Sequence, residues 1–297
     1  MITRRVSEPA LAAAYRLGWA ATKRLPEGMA QAMFEQLGTW IYHRGTASVG
    51  RLRGNLSRAA PGTPSDELDA LTHQAVRSYL RYWCETFRLP IWSHEEVVLR
   101  VRTVDEHYLR DVYAAGKGAI VPLPHTANWD HAGAWACLTG MPLTTVAERL
   151  EPERLFNQFV SYRESLGMEV LALSGEAGVF STMIDRLRCG RLVCLVADRD
   201  LSATGIEVNL LGEPARLPRG PASLSRLTGA PLVPATLSYE PAKLVVQFYP
   251  PIDVRKGRQG VETMTQELAN AFSAGIRAHP VDWHMMQRVF VSDLVNS

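Results

Sequence analysis

The sequence predicts a single α/β domain over residues 1–297: a mostly parallel central sheet of about seven strands, covered by helices on both faces, with a helical, basic subregion over 1–90 and the α/β core over 91–297. Three observations predict it. Apolar runs of strand length recur from residue 97 onward, several of them apolar throughout. Segments with helical periodicity lie between several of these runs, as expected for parallel strands buried on both faces. Before residue 90 the periodicity is helical alone.

The elements follow in order. Residues 8–44 read as two helices broken at Pro26-Glu27-Gly28. In the second, Met29, Met33, Phe34, Leu37, Trp40 and Ile41 form one apolar stripe, expected to face the core. Pro61–Ser65 is a loop, and Ser65 or Asp66 caps a helix running to about Phe87. Val97–Arg102 reads as a short strand and 105–115 as a helix. Gly116-Lys117-Gly118 then turns the chain into the apolar run Ala119–Leu123. Further strands are expected at Leu143–Ala147, Glu169–Leu173, Leu192–Ala197, Ile206–Leu211, Pro231–Leu237 and Leu244–Tyr249, with helices at 152–166, 176–189, 219–228 and 262–278. The 206–211 and 244–249 runs follow short turns, so some antiparallel pairing is expected.

Charge is unevenly spread. Residues 1–60 hold nine Lys or Arg against three acids, a balance of +6, so the remainder carries −4 within a total of +2. A basic end on an acidic body suits an anionic surface such as a membrane. No basic-aromatic module supports nucleic acid as the partner. Cationic residues interrupt every apolar stretch near the start, and the longest uncharged run, 131–147, contains Gly, Pro, Thr and His. Neither a signal peptide nor a membrane span is therefore expected, and any membrane contact is peripheral. Cys84, Cys137, Cys189 and Cys194 form no C-x-x-C pair and read as buried free thiols. No metal or cofactor is expected: H-E-x-x-H, G-x-G-x-x-G and the P-loop pattern are missing, and so is the G-x-S-x-G of serine hydrolases.

The chemistry-bearing segment is Pro124-His125-Thr126-Ala127-Asn128-Trp129-Asp130. It follows the first strongly apolar strand and precedes a helical stretch, Ala132–Leu138, so His125 stands beyond a strand's carboxyl end, where α/β sheets bind ligands. On one helix, positions i and i+5 differ by roughly 140°, so His125 and Asp130 meet only if His125 precedes the helix and Asp130 lies in its first turn. There the carboxylate selects the imidazole tautomer. The same spacing also fits a buried His bonded to backbone beside an Asp that caps a helix.

Further blocks give the segment a context. Arg51-Leu52-Arg53-Gly54-Asn55-Leu56-Ser57-Arg58, His125–Asp130, Thr144–Leu150, Tyr162–Gly167, Val196–Leu201, Arg219–Ala222 with Thr228-Gly229-Ala230, and Asp282-Trp283-His284-Met285 occur in succession over nearly the whole chain. In this order they resemble the bacterial lysophospholipid-type acyltransferases, in the branch of the late lipid A acyltransferases, and within it the phosphatidylinositol mannoside acyltransferases. The resemblance implies acyl transfer from a thioester donor, acyl-CoA, to a mannose hydroxyl of a glycolipid acceptor, at the cytoplasmic face of the inner membrane. His125 is then the general base, with Asp130 and Asp198 as its catalytic carboxylates. Where this chain has Asp198, the mannoside group has Glu, so Asp130 is expected to carry more of the role here. Glu148, Arg163 and His284 fall at the family's substrate-binding positions. Arg163 holds a phosphate or braces Glu148, and His284 lines the acceptor pocket or packs among C-terminal aromatics. Arg199 and Asp200 read as a solvated strand end and His131 as a helix-surface residue. An acyl carrier protein as donor to a lipid A-type acceptor, and a lipid-binding protein without catalysis, are the alternatives.

Overall fold

A computed structural model describes residues 18–147, 153–172, 178–200 and 204–294. Residues 18–24 (α1), α2 (Glu27–His43), α3 (Ala47–Ala59) and α4 (Ser65–Arg88) form the helical subregion. Then come α5 (His94–Leu99), β1 (Val101–Val104), α6 (His107–Ala114), β2 (Ala119–Leu123), α7 (Trp129–Leu138), β3 (Leu143–Ala147), α8 (Glu153–Ser165), β4 (Glu169–Ala172), α9 (Val179–Arg188) and β5 (Leu192–Val196). A hairpin β6 (Ile206–Leu210) and β7 (Glu213–Leu217), α10 (Gly220–Thr228), β8 (Ala235–Tyr239), β9 (Leu244–Phe248), α11 (Gly257–Ala278) and α12 (Val291–Leu294) complete the chain.

The α/β class holds, but in place of one mostly parallel sheet of about seven strands there are smaller sheets. The parallel sheet has four strands, in the order β2-β5-β3-β4. A second, mixed sheet has the order β1-β9-β8, and β6-β7 is a separate antiparallel pair. Residues 231–233 bond to Ile120 of β2 and tie the mixed sheet to the parallel one. The antiparallel pairs are the ones joined by short turns, where no helical crossover is available to make strands parallel.

Three local expectations need correction. Val97 begins no strand, because Ser93 and Glu96 form a capping box that starts α5 there, and the strand waits until Val101. Neither Ser65 nor Asp66 caps α4; the capping position is Pro64, without a side-chain bond. Cys189 is exposed and only Cys84 is fully buried. One turn is as read: Gly118 has φ +71°, and a Cβ there would collide with the Leu187 carbonyl oxygen, so only glycine fits before β2.

The largest correction concerns α2. Its buried face is Ala30, Phe34 and Gly38, and it packs on α4 so closely that a Cβ on Gly38 would lie 3.2 Å from the Arg77 Cα. Of the stripe expected in the core, Phe34 is buried and Ile41 half-buried against the core, but the rest turns outward: Met29 is 59% exposed, Met33 45%, Leu37 41% and Trp40 53%. The helix is rotated so that the Phe34 flank of the stripe goes inward, where Ala30 and Gly38 beside it permit close packing on α4. No helix among the described residues is long and apolar enough to cross a membrane.

Candidate active site

The parallel register of β2 and β5 builds the centre. Leu123 pairs with Val196, and the Ala197 amide bonds to the Leu123 carbonyl, so the next residues of the two strands emerge side by side. His125 and Asp198, each two residues past a paired position, therefore face one another. His125 Nδ1 lies 2.5 Å from Asp198 Oδ1. The other carboxylate oxygen accepts two bonds, from the His125 backbone N–H at 3.0 Å and the Trp283 indole N–H at 2.9 Å. The loop after His125 is fixed by Ala127, which takes φ 42° while its N–H bonds to the Asp282 carbonyl. Asn128 then caps α7 by accepting from the His131 N–H.

Asp198 is fully buried, and burial alone would push its pKa up. The His125 charge and the hydrogen bonds from His125 and Trp283 outweigh that and hold it below the ordinary carboxylate range. An ionised Asp198 accepts at Oδ1, so the imidazole proton belongs on Nδ1. In the neutral ring Nε2 then carries the lone pair, on a side chain still one-third exposed. That is the form needed to take a proton from a hydroxyl.

Asp130 stands elsewhere. Its Oδ1 is 2.6 Å from Arg163 Nε and its Oδ2 accepts from the Tyr82 hydroxyl at 3.2 Å, with no bond to His125. The one-methylene shorter Asp198 reaches the imidazole without help. Arg163 is committed to Asp130, and Glu148 lies outside the described residues. His131 is buried, with Nε2 2.8 Å from the Val97 carbonyl, and is no surface residue. Asp200, at the strand end, accepts from the Gly205 N–H.

His284 is brought to His125: its backbone N–H bonds to the His125 carbonyl at 2.8 Å. Its Nε2 lies 2.9 Å from the Ser78 hydroxyl, which donates to Asp282 at 2.7 Å. Burial pushes the His284 pKa down to about 3. The unfolded imidazole therefore binds a proton below about pH 6.5 that the folded one refuses. Stability from this group is complete above that pH and is lost as pH falls, by up to about 1.4 kcal/mol per pH unit. Burial raises the pKa of Asp282, which titrates in the opposite sense. Comparison of wild type with His284→Gln isolates the imidazole: the variant is expected to show a shallower fall of Tm between pH 6.5 and 4.

Two hollows meet at this centre. A cleft of about 1000 Å³, open to solvent, is lined by His125, His284, Arg199 and aromatic residues including Tyr79, Trp83 and Phe159. A mostly apolar cavity adjoins it, lined by side chains such as Leu109, Val121, Trp135, Leu143 and Phe248. Trp129 and Arg163 line both.

Sequence reasoning missed the groups that hold the cleft's wall. The Asn55 side-chain amide donates to the carbonyls of Met285 at 2.7 Å and Gln287 at 2.9 Å, and Arg51 Nε donates to that of Met286 at 2.9 Å. Three successive carbonyls beside His284 are thus held by α3. The signal was present in the Arg51–Arg58 block, but its partner lies some 230 residues away. Asn55→Ala leaves the buried Met285 carbonyl unpaired and is expected to cost about 1–3 kcal/mol of stability, read by denaturant unfolding. Trp283, clamping Asp198, and Ser78, holding His284, were missed too.

Comparison with known proteins identifies the family. Residues 2–292 match the model of the family described as bacterial lipid A biosynthesis acyltransferase. A phosphatidylinositol mannoside acyltransferase of Mycolicibacterium smegmatis is 41% identical over 281 residues, covering 94% of this chain and 91% of that protein. One of Mycobacterium tuberculosis, from strain CDC 1551 / Oshkosh, is 43% identical over 287 residues, covering 96% and 90%. The protein of that name from strain H37Rv matches to the same extent.

Proposed function

The chain belongs to the bacterial lipid A biosynthesis acyltransferase family, and from that premise we propose that it moves a fatty acyl group from acyl-CoA to a mannose hydroxyl of a phosphatidylinositol mannoside, with His125 as general base. The observation that carries the reading is His125, oriented by Asp198 and lining the cleft beside Trp129, a residue that the cleft shares with the apolar cavity. A sugar hydroxyl is a poor nucleophile at neutral pH. His125 Nε2 takes its proton as the oxygen attacks the thioester carbonyl. The tetrahedral intermediate collapses, the carbon–sulfur bond breaks, and the leaving thiolate recovers the proton from the imidazolium. The products are an ester and a thiol, and neither a covalent enzyme intermediate nor a cofactor enters.

The two hollows divide the substrates. The apolar cavity suits the acyl tail of the donor, since most of its lining is apolar and its two charged residues, Asp130 and Arg163, are paired with each other. The aromatic cleft, with His284 and Arg199, suits the acceptor sugar. Acyl-CoA arrives from the cytoplasm and the acceptor is a lipid, so the enzyme works as a peripheral protein at the cytoplasmic face of the inner membrane. The test is the product made from labelled acyl-CoA and a panel of glycolipids, identified by mass. Acylated phosphatidylinositol mannoside is the expected product. Transfer only from acyl carrier protein to a lipid A-type acceptor, or lipid binding without transfer, contradicts the reading.

A further inference from the structure

Among the described residues, none covers the outward face of α2. Met29, Met33, Leu37 and Trp40 fall within about 80° of arc around the helix, and all four are exposed. Both carboxylates of this helix lie off that arc and are neutralised. Glu27 is held by two bonds from Arg100, and Glu35 by Arg77. At the carboxyl end of the stripe the charge is positive: Arg44 is exposed, and its guanidinium sits 4.6 Å from the centre of the Trp40 ring. Exposed Arg24 lies just before α2 and has no ion pair among the described residues.

We propose that this face of α2 is the surface by which the protein docks on an anionic lipid bilayer, with Met29, Met33, Leu37 and Trp40 entering the boundary between headgroups and acyl chains and Arg44 pairing with a lipid phosphate. The charge pattern decides the occupant. A polar, cation-tipped rim around an apolar stripe free of carboxylates matches a negatively charged interface, where an aromatic ring beside a cation sits at headgroup level. The position fits as well. α2 packs directly on α4, and α4 carries Tyr79, Tyr82 and Trp83 of the cleft on another side. A bilayer met by α2 is then one helix layer from the site where a lipid acceptor must enter. The proposal rests on the reading of the chain as an enzyme with a lipid acceptor, and adds the surface that brings it there.

The test is flotation of the purified full chain with phosphatidylcholine vesicles, with and without an anionic phospholipid. The wild type is compared with a variant carrying Met29→Ser, Met33→Ser, Leu37→Ser and Trp40→Ser, and with Arg44→Glu. All five side chains are exposed, and thermal unfolding checks that the variants fold. Wild type is expected to bind anionic vesicles well above neutral ones, the fourfold variant to bind at least about tenfold more weakly, and Arg44→Glu to lose several-fold. Acyl transfer to detergent-dispersed acceptor is expected to be unchanged in both variants, which separates docking from catalysis. Vesicle binding by the fourfold variant equal to wild type overturns the proposal. So does a wild-type dimer in solution that the fourfold variant converts to monomer, because the face then belongs to a second copy of this chain.

Discussion

Asp198→Asn is expected to lower kcat for acyl transfer by about 10²–10⁴-fold with little change in fold. The argument comes from what each carboxylate oxygen does. Oδ2 accepts from two fixed N–H groups, the His125 backbone and the Trp283 indole. In the variant the amide oxygen must take that place, because an NH₂ there would face two donors. The amide nitrogen then falls at Oδ1 and donates to His125 Nδ1. The imidazole proton is forced onto Nε2, the atom that has to receive the substrate's proton. The ring stays where it was in the wrong tautomer. Steady-state kinetics measures this, and a KM nearly unchanged beside the lost kcat distinguishes a tautomer effect from a damaged pocket.

The second large effect falls on stability. Arg163→Leu is expected to destabilise the protein by about 3–5 kcal/mol, because Asp130 would be left as a buried charge with only the Tyr82 hydroxyl beside it. The Asp130 side chain is 2% exposed, so water does not replace the guanidinium. The double variant Arg163→Leu, Asp130→Leu is expected to recover much of the loss, since the cost comes from an unpaired charge and not from the pair's own strength. Chemical denaturation of the wild type, both single variants and the double variant measures the coupling. A single-variant loss below about 1 kcal/mol would mean that the pair is solvated like a surface ion pair.

The two acids show how far the sequence could be read. His125 was legible, because an apolar strand ending in Pro124-His125 places a side chain at a ligand-binding edge. Its partner was not settled by the residues alone. Asp130 is five positions away and Asp198 seventy-three. Choosing between them needs the β2–β5 register, a long-range pairing that no local pattern encodes. The Asn128 cap starts α7 in an orientation that sends Asp130 inward to Arg163.

The elements failed for other reasons. The strand expected at Val97 ignored a readable capping box at Ser93 and Glu96, which local hydrogen bonding makes decisive. Hydrophobic periodicity found the α2 stripe but not its direction, because periodicity records that residues share a face and not what covers it. Ala30 and Gly38, small residues flanking Phe34 on one side of the stripe, were the available clue.

Acyl transfer by His125→Ala, measured beside binding of the glycolipid acceptor by the same protein, tests the general-base assignment most directly. Loss of turnover by about 10²-fold or more with acceptor binding retained is the predicted result. Turnover near the wild-type rate, with acceptor binding likewise unchanged, would contradict it.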